Sequence, residues 1–180
     1  MSKIAAFIYK LVGWKAVGSI PDDLKKYVIL AAPHTSNWDF FYGRLYFYIF
    51  KVPVKFFIKK EWFFFPMGIL FRAMGGVPVD RSTNSNLTDE IAKSFKLHEE
   101  MAMMVTPEGT RSYSPDWKKG FYYIAQKANV PIVLGFLDYS KKEAGYGPVF
   151  YPTGDIDKDF AEFKSFYMTK KGRFPEKGVV

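Results

Sequence analysis

The sequence predicts an α/β fold, a single domain with a mainly parallel sheet flanked by helices on both faces. Short apolar runs bounded by proline, glycine or asparagine alternate along the chain with longer segments of helical period. Strands that alternate with helices favour a parallel sheet covered on both sides. No linker, repeat or low-complexity tract divides the 180 residues, and that length suits one domain with a sizeable core.

The short apolar runs and the segments of helical period predict the strands and helices in chain order. Six apolar or β-branched runs predict strands at residues 27–32, 54–58, 77–79, 103–106, 131–136 and 149–151. Five segments of helical period predict helices at residues 37–50, 61–74, 87–101, 117–128 and 158–170. Asn37 or Ser36 is a candidate N-cap of the first helix, and Asn86, Asp89 and Glu90 suit the start of the third.

The first 15 residues predict an amphipathic helix without the small-residue cleavage site of a signal peptide. Its apolar stripe comprises Ile4, Phe7, Ile8, Leu11 and Trp14, with Lys3 and Lys10 elsewhere. Such a helix can lie in a membrane interface or pack on the protein's own core, and the sequence leaves both open. The longer apolar runs, 40–50 and 63–71, fall short of the roughly 18–20 residues that span a bilayer.

Composition excludes several classes of site and favours an anionic partner. The absence of cysteine excludes disulfide scaffolds, thiolate metal sites and cysteine nucleophiles, and two histidines make a histidine metal centre unexpected. A chain that is 48% hydrophobic and 19% aromatic is not intrinsically disordered. The net charge of +8 suits nucleic acid, anionic lipid or a phosphorylated substrate, although a merely soluble basic protein would also carry it.

Three polar clusters follow predicted strands directly. They read PHTSNWD after residues 27–32, DRS after residues 77–79 and PEGTRS after residues 103–106. In open α/β sheets, ligands bind beyond the carboxyl ends of the strands. If these strands are parallel, the three clusters converge on one edge of the sheet, and we expect the functional site there.

His34 and Asp39 form an H-x4-D pair at the first of these strand ends. Imidazole is the side chain best matched to proton transfer near neutral pH, so His34 is a candidate general base. Asp39 would orient the ring and stabilise the imidazolium. No G-x-S-x-G elbow occurs in the chain, so a serine acyl-enzyme is not indicated. A base without a protein nucleophile suits direct attack by a substrate hydroxyl.

The other two clusters are candidate anion sites. Gly75 and Gly76 permit a tight turn into a strand, after which Arg81 could bind a phosphate through two N–H groups, or simply pair with Asp80 at the surface. The loop that begins at residue 107 could present backbone N–H groups to an anion, with positive charge from Arg111 and Lys119. A purely structural loop ordered by Glu108 is the alternative. His98 is interpreted as a surface residue.

The four blocks H-x4-D, G-G-V-P-V-D-R, P-E-G-T-R-S and V-P-I-V, in this order, resemble the glycerolipid acyltransferases of the lysophosphatidic acid acyltransferase type. The resemblance covers roughly residues 27–137. It implies transfer of an acyl group from acyl-CoA or acyl carrier protein to the hydroxyl of a lysophospholipid such as 1-acyl-glycerol-3-phosphate, in phospholipid biosynthesis. It implies no cofactor or metal beyond the acyl-thioester co-substrate.

The resemblance also implies roles for individual residues. His34 would deprotonate the acceptor hydroxyl and Asp39 would orient His34. The implied substrate-binding residues are Ser36, Arg81, Glu108, Gly109, Thr110, Arg111 and Lys119. We therefore expect an acyl donor, a lysolipid acceptor and a membrane surface as partners, with the protein peripheral on the cytoplasmic face of the membrane.

Two other functions and several acceptors stay open. A thioesterase-like hydrolase would use His34 to activate water, and a non-catalytic module could bind anionic lipid through its charge. Nucleic acid is not expected, because the aromatic residues form dense apolar runs rather than platforms interleaved with Lys and Arg. The acceptor could be a lysophospholipid, an amino-acid-derived lysolipid or another hydroxylated lipid.

Overall fold

A seven-stranded sheet forms the centre of the computed structural model, which describes residues 2–79 and 87–179. The strands are β1 (Lys15–Val17), β2 (Lys26–Ala31), β3 (Val54–Lys59), β4 (Gly76–Val79), β5 (Met101–Val105), β6 (Ile132–Asp138) and β7 (Glu143–Phe150). The α-helices in the described ranges are α1 (Ser2–Val12), α2 (Trp38–Phe50), α3 (Met67–Ala73), α4 (Leu87–Leu97), α5 (Gly120–Ala128) and α6 (Ile156–Met168). Short 3-10 helices cover Lys60–Trp62 and Pro175–Lys177.

The sheet is mainly parallel, which confirms the predicted fold class. The strand order is β1-β7-β6-β2-β5-β3-β4, and β6 with β7 is the single antiparallel pair among the described strands. In the centre, Leu30 of β2 is in register with Val105 of β5 and Leu134 of β6. The carboxyl ends of β2 and β5 therefore lie side by side, and the segments that begin at residues 32 and 106 leave the sheet at the same edge.

Helices cover both faces of the sheet, as alternating side chains along β2 require. Val28 and Leu30 point into a core with α4, α5 and α6, whereas Tyr27 and Ile29 point into a second core with α1 and α2. Both cores consist of buried apolar side chains, with partly buried ones packed around them. The site at the carboxyl edge is thus built on a sheet that is packed from two sides.

Several predicted bounds are wrong, each for a local reason. The predicted helix 61–74 is interrupted, because α3 begins only at Met67, after Pro66, and residues 60–62 form a 3-10 helix. The predicted helix 87–101 ends at Leu97, since Met101 already belongs to the buried strand β5. The predicted strand 149–151 is the end of the longer β7, which returns antiparallel from β6 through a four-residue turn.

The structure also departs from the predictions at the edges of elements. The strand β1, three residues long, was not predicted. The predicted helices 117–128 and 158–170 correspond to α5 and α6 with shifted ends. Asn86, Asp80 and Arg81 lie outside the described residues.

The N-terminal helix α1 packs on the core with only part of its apolar surface. Ala5 and Tyr9 are buried against α2, and the Tyr9 hydroxyl donates to the Tyr42 carbonyl oxygen at 2.6 Å. Ile4, Phe7 and Leu11 stay exposed on the other side of the helix. Within residues 2–79 and 87–179, no helix combines the length and apolar character that crossing a membrane requires.

Replacement of Gly75 by alanine should destabilise the fold. Gly75 has a φ of +89°, and an added Cβ would lie 2.3 Å from the carbonyl oxygen of Val54. We expect Gly75→Ala to lower the free energy of unfolding by about 1–3 kcal/mol, because both the left-handed backbone and the close contact oppose a side chain. Urea denaturation measures this change.

Gly120→Ala is the matched control, since nothing lies within 4 Å of its added Cβ. It should leave the protein as stable or stabilise it by about 0.4–1 kcal/mol. Equal unfolding curves for the two variants would contradict the account of Gly75.

Candidate active site

The His34–Asp39 pair lies at the junction of β2 and α2. Strand β2 ends at Ala31, and Asp39 occupies the first turn of α2, so the six-residue connection brings the two side chains together. The Nδ1 atom of His34 lies 3.1 Å from Oδ2 of Asp39. The Asp39 carboxyl is buried, whereas the His34 ring is partly accessible. The sequence spacing H-x4-D therefore corresponds to a hydrogen-bonded pair with its histidine facing outward.

Asp39 is held by donors from two distant parts of the chain. The backbone N–H groups of Thr35 and Ser36 donate to its Oδ2 at 2.8 and 2.9 Å. The hydroxyl of Tyr139 donates to its Oδ1 at 2.7 Å. Burial alone would raise the pKa of Asp39, but hydrogen bonds from His34, Tyr139 and Ser36 outweigh burial and lower it. Asp39 is therefore an ionised acceptor at neutral pH.

This arrangement selects one tautomer of His34. An ionised carboxylate only accepts hydrogen bonds, so Nδ1 of His34 carries the proton that is shared with Asp39. The lone pair is then on Nε2 of a ring that is partly accessible and lines the cavity. His34 can accept a proton there while Asp39 stabilises the resulting imidazolium.

Tyr139 is a site residue that sequence reasoning missed. It begins the turn after β6, 100 positions beyond Asp39, and burial raises its pKa far above the ordinary value. Its hydroxyl is therefore a permanent donor. A single tyrosine after an apolar strand carries no motif signal, so only the β2–β6 pairing could have revealed it.

Glu108 does not line the cavity and instead contacts the backbone of His34. Its Oε1 accepts the backbone N–H of His34 at 3.1 Å, while its Oε2 is buried without a hydrogen-bond partner in the described structure. Burial raises the pKa of Glu108. The carboxyl thus connects the loop after β5 to the backbone of the candidate base, and it does not pair with the basic side chains of its own loop.

Among the predicted basic residues that the structure describes, Arg111 lies at the cavity, which Arg44 of α2 also lines. Its Nη1 donates to Oδ1 of Asn37, and both residues line the same cavity as His34. Asn37 does occupy the N-cap position of α2, but its side chain makes no capping hydrogen bond. The hydroxyl of Ser36 instead accepts the N–H of Trp38 at 3.2 Å. Asn37 is therefore a second site residue whose role the sequence did not indicate.

Of the remaining predicted residues, those that the structure describes do not line the cavity. Gly109, with a φ of +66°, and Thr110 form an exposed turn, in which the Thr110 hydroxyl accepts the N–H of Ser112 at 3.3 Å. Lys119 occupies the N-cap position of α5, and its Nζ lies 3.8 Å from the Asp157 carboxylate. Ser36 is buried beside Asp39. Arg81 lies outside the described residues.

A cavity of about 660 Å³ extends from His34 between α2 and the sheet. Its polar end is formed by His34, Asn37, Asp39 and Arg111. The rest is largely apolar, and the lining there includes Ile29, Phe40, Phe47, Val54, Phe56, Ile58 and Met104. A base and a cation at one end of an apolar cavity can hold an amphiphile with a reactive polar group and a hydrocarbon chain.

Asparagine at position 39 should remove a pH-dependent part of the stability. The lowered pKa means that the Asp39 carboxylate stabilises the folded state above pH 3.8, its ordinary pKa, and ceases to do so as the pH falls through its lower folded value. We expect Asp39→Asn to cost roughly 1–3 kcal/mol of unfolding free energy at neutral pH. Urea denaturation should show that this difference shrinks as the pH falls below 3.8.

The exposed Asp23 provides the control, since Asp23→Asn should leave the unfolding curve unchanged at every pH. A destabilisation by Asp39→Asn that is independent of pH would argue against an ionised Asp39 in the folded protein.

Comparisons with known proteins address the fold and the family. The crystal structure of the 1-acyl-sn-glycerophosphate (LPA) acyltransferase, PlsC, from Thermotoga maritima is similar to this chain with a TM-score of 0.62 and 20% sequence identity. The alignment covers 89% of this chain and 73% of that chain, and at such identity it supports the α/β fold alone. A search of curated proteins gave no match.

The family rests on a second comparison, which concerns sequence. The family model described as Acyltransferase matches residues 16–133, about two thirds of the chain. The matched region includes His34, Asp39 and the loop that carries Glu108 and Arg111, and it agrees with the resemblance found from the four sequence blocks. The chain therefore belongs to the Acyltransferase family.

Proposed function

We propose that the protein transfers an acyl group from an acyl thioester, either acyl-CoA or acyl carrier protein, to the hydroxyl of a lysophospholipid at a membrane surface. The main support for this proposal is the His34–Asp39 pair, which lies at the polar end of the largely apolar cavity of 660 Å³. We further propose that the acceptor is of the 1-acyl-glycerol-3-phosphate type and that the reaction belongs to phospholipid biosynthesis. The family membership supports acyl transfer as the reaction class.

The proposed reaction uses one histidine as general base and then general acid, and it forms no covalent acyl-enzyme. Nε2 of His34 takes the proton of the acceptor hydroxyl, and the oxygen attacks the thioester carbonyl carbon. The C–S bond then breaks, and the departing thiolate takes the proton back from the imidazolium. Asp39 stabilises the imidazolium between the two proton transfers, and Tyr139 keeps the carboxylate in place.

The acceptor phosphate is proposed to lie at Arg111. The guanidinium presents a planar set of N–H donors that suits a phosphate, and its contact with Asn37 holds it at the cavity mouth. Arg81 remains the proposed second phosphate ligand from the sequence. The role of Lys119 also stays a prediction, and its position next to Asp157 gives no support to it.

The proposed membrane association rests on charge and on α1. The net charge of +8 suits an anionic leaflet, and Ile4, Phe7 and Leu11 form an exposed apolar face on a helix that also carries Lys3 and Lys10. We propose a peripheral protein on the cytoplasmic face of the membrane. Lipid substrates would reach the cavity from that surface.

Alanine at position 34 should abolish the reaction without unfolding the protein. We expect His34→Ala to reduce acyl transfer by roughly 10²–10⁴-fold, because the general base is lost from a partly accessible position. The assay supplies a labelled long-chain acyl-CoA and, in parallel, the acyl carrier protein thioester, with a panel of lysolipids that includes 1-acyl-glycerol-3-phosphate.

His98, the other histidine of the chain, is the matched control. Its ring is exposed and Nδ1 lies 2.9 Å from the Ser94 carbonyl oxygen, so His98→Ala should transfer at the wild-type rate. Full activity of His34→Ala would disprove the assignment of the base. Release of free fatty acid by the wild type with every acceptor would instead identify a thioester hydrolase.

Loss of the Arg111 side chain should weaken binding of a phosphorylated acceptor. We expect Arg111→Ala to raise the KM for 1-acyl-glycerol-3-phosphate by about tenfold or more, with a smaller change for the donor, because charge-assisted hydrogen bonds to phosphate are lost. Steady-state kinetics with each substrate varied in turn separates the two.

The matched control for this substitution is Lys127→Ala, which removes an exposed cation paired with Asp89 on the α4–α5 side of the protein. It should leave both KM values unchanged. A rise confined to the donor KM in Arg111→Ala would place the thioester carrier, rather than the acceptor phosphate, at Arg111.

A further inference from the structure

The connection between β3 and α3 exposes an unusual amount of apolar surface. Within residues 62–70, here called the aromatic segment, the exposed fractions are 56% for Trp62, 56% for Phe64, 83% for Phe65, 62% for Ile69 and 50% for Leu70. No ring contact links Trp62, Phe64 or Phe65 to another aromatic side chain within the described ranges, whereas Phe63 packs on Phe71 at 5.8 Å. Exposed apolar side chains concentrated in one short segment are typical of an interaction site.

The aromatic segment is a folded structure. The Phe63 ring contacts both Phe71 and the guanidinium of Arg72, whose carbon is 5.2 Å from the ring centre. Gly68 passes so close to Phe63 that an added Cβ would lie 2.5 Å from the Phe63 carbonyl oxygen. The N–H of Gly68 also donates to the carbonyl oxygen of Phe64 at 2.7 Å. The backbone is thus held, and the exposed side chains project from a fixed support.

The charges around the aromatic segment suit an anionic surface. Three basic side chains, Lys59, Lys60 and Arg72, flank it, against the single acidic side chain of Glu61. Tryptophan and phenylalanine next to basic residues are typical of protein segments that lie at the boundary between lipid headgroups and acyl chains. A protein partner would not require this combination.

The position of the aromatic segment connects it to the site. Strand β3 leads into it, and Phe56 and Ile58 of that strand line the cavity. Phe40 of α2, also in the lining, packs edge-on against Phe56 at 5.9 Å. Because β3 runs parallel to β5, which runs parallel to β2, the segment leaves the sheet at the same edge as His34.

We infer that the aromatic segment inserts into the interface of an anionic bilayer and holds the mouth of the cavity against the lipid surface. This inference rests on the proposed function for its purpose, since a lipid substrate could then enter the cavity without crossing water. The proposed bilayer contact involves residues other than the exposed apolar face of α1, which comprises Ile4, Phe7 and Leu11.

Vesicle co-sedimentation without acyl donor tests the contact directly. On vesicles of phosphatidylcholine with phosphatidylglycerol, we expect the variant W62S/F64S/F65S to bind at least about tenfold more weakly than the wild type, because three interfacial aromatic side chains are lost. The control L97S/Y151S removes two exposed apolar side chains, one at the end of α4 and one directly after β7, and should bind as the wild type does. Equal binding by W62S/F64S/F65S and the wild type would overturn the inference.

Insertion itself is measured by quenching of tryptophan fluorescence with phospholipids brominated in their acyl chains. We expect quenching of the wild type on vesicles and a clear decrease of it in Trp62→Phe, which keeps an apolar ring and the binding, while the exposed Trp38 accounts for any quenching that remains. Quenching that persists unchanged in Trp62→Phe would overturn the inference. Circular dichroism of each variant confirms that the fold is kept.

Two further measurements separate the alternatives. Acyl transfer with a short-chain lysolipid below its micelle concentration should be the same for W62S/F64S/F65S and the wild type, whereas transfer to a vesicle-borne acceptor should fall. If the wild type transfers no acyl group, the proposed function fails, yet the vesicle results still decide the inference. A wild-type dimer in sedimentation velocity that becomes monomeric in W62S/F64S/F65S, with vesicle binding unchanged, would instead assign the aromatic segment to a second copy of the chain.

Discussion

The buried negative charge of Asp39 is the constraint on which the site depends. A carboxylate removed from water costs several kcal/mol unless donors replace its hydration, so the chain must supply those donors. Here they come from the His34 ring, the two backbone N–H groups that follow it, and the Tyr139 hydroxyl. One charge thereby joins the β2–α2 connection to the turn after β6 and fixes the histidine tautomer.

Glu108 shows the opposite balance in the same site. Glu108 accepts a hydrogen bond from the His34 backbone, but one of its oxygens has no partner in the described structure. Burial therefore raises the pKa of Glu108, whereas hydrogen bonds lower the pKa of Asp39. The difference follows from the number of donors that each carboxyl receives. The two carboxyls have separate tasks, since Asp39 orients the ring and Glu108 fixes the backbone that carries it.

The candidate site and the proposed lipid-facing segment lie at one edge of the sheet. Parallel strands end together, so the base after β2, the loop after β5 and the aromatic segment after β3 share that edge. The cavity continues from it between α2 and the sheet, where apolar side chains replace polar ones. A reactive headgroup and a hydrocarbon chain would each meet a matching surface.

The sequence by itself determined the α/β class, the central strands and the H-x4-D pair, because hydrophobic period and short-range spacing are local properties of the chain. The sequence also predicted Arg111 as a site residue, and the structure shows that Arg111 lines the cavity and contacts Asn37. Only the tertiary structure revealed Tyr139 as a donor to Asp39, Glu108 as a support of His34, and Lys119 as a residue away from the cavity. These roles depend on which strands become neighbours, and strand order arises from packing of the whole sheet rather than from any local pattern.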